Sequence, residues 1–169
     1  DGSDPQNLVI RVGDDPTLYA RIRDEAVGWL KTQRHIAQVL TRDEVMAAAP
    51  SVGISPDKLT VAERFSESFD PSRSGDIFVA FDPHYSALMP RKTGDAVAGH
   101  GSPWDYDRLV PILFWWPGAP METVSRAIET VDIAPTLAAI AGIRTPLLDG
   151  QCLPEVTDCE KSGASTTPR

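Results

Sequence analysis

Two near-continuous apolar runs constrain this chain more than any other feature: "DIFVAF" at residues 76–81 and "LVPILFWW" at residues 109–116. A strand covered on one face alternates apolar and polar residues, whereas an uninterrupted apolar run needs layers packed above and below it. Both runs are therefore expected to be strands of a sheet covered on both faces, which places the chain in the α/β class. With 41% hydrophobic and 24% charged residues, a 169-residue chain can bury such a core.

Upstream of these runs the signals are local. "LVIRV" at residues 8–12 reads as a strand. Asp15 then serves as a cap, with Pro16 in the first turn of a helix reaching about Gln33, whose apolar stripe is Leu18, Ile22, Ala26 and Trp29. "IAQVL" at residues 36–40 reads as a second strand. Thr41 and Glu44 have capping-box spacing for a short helix that stops near Pro50. Ser55-Pro56 reads as another cap and first turn, leading into a helix with Leu59, Ala62, Phe65 and Phe69 on one face. Further on, "TVDIAPTLAAIAGI" offers Asp132 as a cap, a proline in the first turn and Gly142 as the stop. This order divides the chain into a small β-α-β lobe over residues 1–72, part of a larger covered sheet over 73–156, and a Ser/Thr/Gly/Pro tail over 157–169 that cannot bury enough apolar surface to stay ordered.

The net charge of -8 argues against a protein that binds nucleic-acid backbones, which needs a basic stripe to displace counterions. No long apolar span and no basic-then-apolar leader stands in the sequence, so neither a membrane span nor a signal peptide is expected within it. Cys152 and Cys159 lack the paired spacing of a zinc site; a local disulfide and two free thiols both fit, the disulfide slightly better.

The segment between the two apolar runs, residues 82–109, is too long for a plain connection and carries two of the three histidines. His100 stands in "GHGSP", where flanking glycines let an imidazole project from a sheet end. Spacing alone favours a turn histidine, because a metal site needs several converging ligands. His84 and Tyr85 read as loop residues on the sheet end, and His35 as a surface residue before a strand. Asp105 and Asp107 read as hydrogen-bond acceptors bracing the loop, since they lack the other ligands of a calcium loop. Ser102 lacks the orienting acid and oxyanion hole of a serine hydrolase. A turn with a local Arg–Asp pair accounts for "RSGD" at residues 73–76, and Trp104, Tyr106, Trp115 and Trp116 read as core and cleft wall.

"GHGSPWDYDRLVPILFWWPG", then "VSRAIETVDIAPTLAAIAGI" and "DGQCLPEV", resemble in order the C-terminal end of the alkaline phosphatase superfamily. The nearest branch is that of periplasmic phosphatases and nucleotide pyrophosphatase/phosphodiesterase-like enzymes, and the similarity covers most of residues 36–156. The fold this implies is the C-terminal part of an α/β/α sandwich with a small ferredoxin-like N-terminal lobe. The chemistry it implies is phosphoric-ester hydrolysis at two zinc ions, in a periplasmic or secreted enzyme. In that pattern His100 matches the last zinc-ligand histidine.

The family's nucleophile motif, its upstream Asp-x-x-x-His pair and its adjacent Asp-His pair have no counterpart here; "DPH" at residues 82–84 does not replace the last. The resemblance therefore implies the C-terminal segment of a longer enzyme, with at most a partial zinc site and no activity alone. Its partner is then the upstream part of the same enzyme or a second copy, and its substrate a phosphate ester, monoester or diester. The alternative is a non-catalytic, degenerate or partner-docked α/β domain.

Overall fold

The computed structural model describes residues 4–51, 53–86, 94, 100–146 and 148–162. The chain forms two compact units, one of Asp1–Pro50 and Leu59–Leu109, the other of Ser51–Lys58 and Val110–Arg169.

The first unit is built on a three-stranded sheet of order β1-β3-β2, both pairings antiparallel. Its strands are β1 (Asn7–Leu8), β2 (Ile36–Thr41) and β3 (Ile77–Phe81); its helices are α1 (Pro16–Leu30), α2 (Arg42–Ala47), α3 (Val61–Glu67) and the one-turn α4 (Asp105–Arg108). β3 is central, and its uninterrupted apolar sequence has the expected consequence: Ile77, Phe78, Val79 and Ala80 are all buried. Because side chains alternate across a strand, Ile77 and Val79 face one layer, where Ala26, Val27 and Leu30 of α1 pack on them. Phe78 faces the other, against Val45 of α2 with Ala62, Phe65 and Phe69 from α3 and its end.

The cover that β3 requires thus comes from helices of this same chain. Hydrogen bonding also runs across the turn before it, where the sequence places a boundary at residue 72: β3 pairs with β1 and β2. Gly75 sits where the chain passes β1 so closely that a Cβ would lie 2.5 Å from the Leu8 carbonyl oxygen. Its N–H donates to Asn7 Oδ1. The Asp76 carboxylate accepts from the Ile10 N–H at 2.7 Å and the Tyr19 hydroxyl at 2.8 Å, tying three segments together. Pairing of the "LVIRV" run therefore ends at Leu8.

Several helix signals act as read and others are displaced. Asp15 caps α1 by accepting from Thr17 and Leu18, and Thr41 and Glu44 close the capping box of α2. The half-buried stripe of α1 continues from Ala26 to Leu30, leaving Trp29 62% exposed. Residues Pro56–Lys58 make only a 3-10 turn; α3 begins after Thr60, whose box with Glu63 satisfies two backbone donors.

The second unit contains α5 (Ile133–Ala141), preceded by a 3-10 turn at Thr130–Asp132 and ended by Gly142 in the left-handed conformation. Asp132 stands at the N-cap position of α5, but its side chain makes no capping bond to the helix. Its buried carboxylate accepts from Glu129 N at 3.0 Å and Gln151 N at 2.8 Å, fastening the later loop to the helix start. Thr136, fully buried, donates to the Asp132 carbonyl and accepts from Leu153 N. Cys152 and Cys159 form a disulfide that packs on Ala139.

Residues 109–116 form no strand, contrary to expectation. Ile112 and Phe114 are half-buried, while Leu113 and Trp115 are 88% and 77% exposed, so the segment keeps the two-residue alternation of an extended chain. A strand needs a backbone partner, and among the described residues the second unit has no strand to supply one. No helix among the described residues is long and apolar enough to cross a membrane. The expected disordered tail falls largely on residues 163–169, and much of the long loop on 87–93 and 95–99, outside the described residues.

Candidate functional site

His100 and Gly101 are exposed, and the residues from Gly101 to Trp104 are each fastened to the rest of their unit. Gly101 has φ +105°, a conformation open to glycine at little cost, and its carbonyl lies 3.4 Å from Gln6 Nε2. Ser102 N donates to Asp107 Oδ2 at 2.6 Å. The buried Pro103 presents its carbonyl to Arg64 Nη1 at 2.7 Å, and Trp104 Nε1 donates to the Phe81 carbonyl at 2.8 Å. His100 itself is exposed, and the chain that follows it is held at Gly101, Ser102, Pro103 and Trp104.

Arg64 is the principal clamp. Its side chain is only 11% exposed and spans from α3 to α4: Nε donates to the Leu59 carbonyl, Nη1 to Pro103, and Nη2 pairs with Asp105 at 2.8 Å. Asp105 also lies 3.8 Å from Arg108. The other acidic residue of α4, Asp107, turns back on the loop. The Ser102 backbone N–H is the largest reason its carboxyl lies below the ordinary range; partial burial opposes this, and the Ser102 hydroxyl, Gly101 N–H and neighbouring His100 ring add smaller contributions. Ser102 Oγ is buried without a partner at hydrogen-bonding geometry, although it lies close enough to favour the Asp107 anion. Both aspartates are bracing acceptors, as expected.

A cleft of about 260 Å³ opens beside this loop, lined by Arg64, Ser68, Ser102, Asp107 and Arg108 among others. A second hollow, of about 160 Å³ in the other unit, is walled by Ile112, Phe114, Trp116 and Leu153 with the Arg126–Glu155 ion pair at its side, and offers no histidine or nucleophile.

The other two histidines take a shared arrangement at the end of β3. His35 and His84 hold left-handed backbones, φ +65° and +63°, which cost a non-glycine residue of order 1 kcal/mol or more. Each lies flat on a tyrosine: His35 on Tyr85 at 4.2 Å, His84 on Tyr106 at 4.3 Å. His35 Nδ1 is 3.4 Å from Asp82, and the His84 N–H donates to the Tyr106 hydroxyl. The 82–86 turn is thereby joined to α4. Arg73 pairs with Asp70 and not with Asp76, whose carboxylate is taken by the Ile10 N–H and the Tyr19 hydroxyl.

Among the described residues no three of His, Cys, Asp and Glu converge on a point that could hold a metal. His100 stands as a single exposed imidazole, and a zinc site needs several converging ligands. Arg64 escapes sequence reasoning altogether, because its role depends on a contact 39 residues away and no spacing signals it.

No family model matches the chain. It is 38% identical over 147 residues, 86% of its length, to the alkaline phosphatase PhoK of a Sphingomonas species. It is 39% identical over 151 residues, 88% of its length, to the alkaline phosphatase PhoD of Zymomonas mobilis subsp. mobilis. The match takes in 26% and 25% of those proteins. The chain is thus similar to these two alkaline phosphatases over most of its own length, and spans about a quarter of the length of the curated relatives it matches.

Proposed function

We propose that this chain is the C-terminal segment of a zinc-dependent phosphoric-ester hydrolase, to which it contributes one zinc ligand, His100, and part of the active-site wall. The observation that carries the reading is an exposed imidazole whose loop is pinned by Asp107, Arg64 and Trp104. A surface histidine without a task has no need of such bracing, whereas a metal ligand must be held in place before the ion arrives. The similarity to alkaline phosphatases supplies the reaction class. When bound, zinc supplies positive charge for the reacting oxygens. The nucleophile and remaining ligands belong to upstream sequence, as does the partner for the apolar, unpaired segment at 109–116. The disulfide supports a periplasmic or secreted location.

The test is His100→Ala in the longer protein. We expect loss of one zinc and a steep fall in phosphatase turnover, with the melting temperature of the metal-free protein unchanged. Full zinc content in that variant would overturn the assignment. The reading of a non-catalytic domain draws on the absence of a converging ligand set among the described residues; it prevails if the longer protein binds no zinc.

A further inference from the structure

We propose that Asp107 is the positioning residue for His100. This rests on His100 being a zinc ligand, and adds a role for a side chain that touches neither metal nor substrate. Three observations carry it. Asp107 Oδ2 accepts the Ser102 N–H at 2.6 Å, a short charge-assisted bond that fixes the backbone two residues beyond the ligand. Gly101, at φ +105°, would otherwise leave that backbone free to take other conformations. Asp107 itself stands on α4, which Arg64 fastens to α3 through Asp105, so the carboxylate is a fixed point.

The carboxylate acts through the Ser102 backbone. It holds the loop in one conformation before metal arrives, which removes an ordering cost from binding. Asp105, two residues earlier, is spent on Arg64 and Arg108 and acts on the loop only through the seat of α4.

The experiment uses the longer protein, with His100→Ala, Asp107→Asn, Asp107→Ala and Asp105→Asn. Zinc affinity is read by competition with a chelator, and the metal-free melting temperature is read in parallel. Asparagine keeps the shape and an acceptor for Ser102 N–H but removes the charge. Asp107→Asn is expected to weaken zinc by about tenfold or more with metal-free melting unchanged, Asp107→Ala to weaken it further, and Asp105→Asn, which loosens the seat of α4, to lower melting and to weaken zinc less than Asp107→Ala does. Zinc bound by Asp107→Asn as tightly as by the parent, with His100→Ala defective, overturns the positioning role alone. Zinc retained by His100→Ala overturns the ligand assignment beneath it.

Discussion

Trp104 Nε1 donates to the carbonyl of Phe81 at 2.8 Å, so the last residue of β3 and the loop just past His100 share one hydrogen bond. Trp104→Phe keeps an aromatic ring and deletes only the donor. Leaving a part-buried carbonyl short of its partner costs about 1 kcal/mol. The expected outcome is a melting temperature lower by a few degrees, measured by circular dichroism; unchanged melting would mean that water replaces the indole at no cost.

Residues 109–116 should drive association of the 169-residue chain in isolation. Leu113 and Trp115 are exposed together on one side of an extended segment, next to Leu109 and Val110 at 56% and 58% exposure. Light scattering should show concentration-dependent assembly, and Leu113→Asp with Trp115→Ser should abolish it without altering the circular dichroism spectrum. A parent chain that stays monomeric at high concentration contradicts this.

Stability should fall in acid through the caps and the turn before β3. Hydrogen bonds from Thr41 hold Glu44 below its ordinary range, bonds from Thr60 do the same for Glu63, and the Ser72 donors with Arg73 bring Asp70 down to about 2. A carboxyl whose folded pKa is depressed contributes its full stability above its unfolded pKa and loses it as pH drops through the folded one. Denaturant midpoints should therefore decline between pH 4.5, the ordinary glutamate value, and pH 2. Thr41→Ala combined with Thr60→Ala should flatten that decline and cost about 1 kcal/mol per cap at neutral pH. An equal slope in parent and variant would assign the acid sensitivity elsewhere.

Reduction should loosen the second unit selectively. The Cys152–Cys159 bridge closes a loop of sequence separation 7 and packs on α5 through Ala139. The chain-entropy model gives about 2–3 kcal/mol for a loop of that size. Hydrogen exchange after Cys152→Ser and Cys159→Ser should speed up in α5 and leave α1 unchanged; equal acceleration in both helices would contradict a local role.

The elements that could be read from sequence are those whose reasons are local. Asp15 before Pro16, the Thr41–Glu44 box and the glycine stop at Gly142 each involve residues within one or two turns, and all three are found. β3 was legible because its apolar run implies cover on both faces, whatever supplies it. The failures come from competition or distance. Ser55 and Thr60 both offer cap chemistry, and Thr60 prevails because Glu63 returns its hydrogen bond. Trp29 and Leu30 both fit helical spacing, and the packing of the sheet selects Leu30. The 109–116 run reports an appetite for pairing but cannot say where the partner lies. For the site, the loop and its acidic braces were legible, while Arg64 was not, since the geometry of its guanidinium exists only after α3 and α4 have packed in the same unit.

The sheet itself has little capacity for growth at its margins. One outer strand, β1, is two residues long, and the other, β2, is broken by an irregularity between Ile36 and Gln38. Short and bulged outer strands make poor templates for a neighbouring molecule, because a template needs several evenly spaced donors and acceptors in a row. Fibril-like stacking through β1 or β2 is therefore disfavoured, and a variant that lengthened β1 and restored regular register at Ala37 would be expected to gain that hazard.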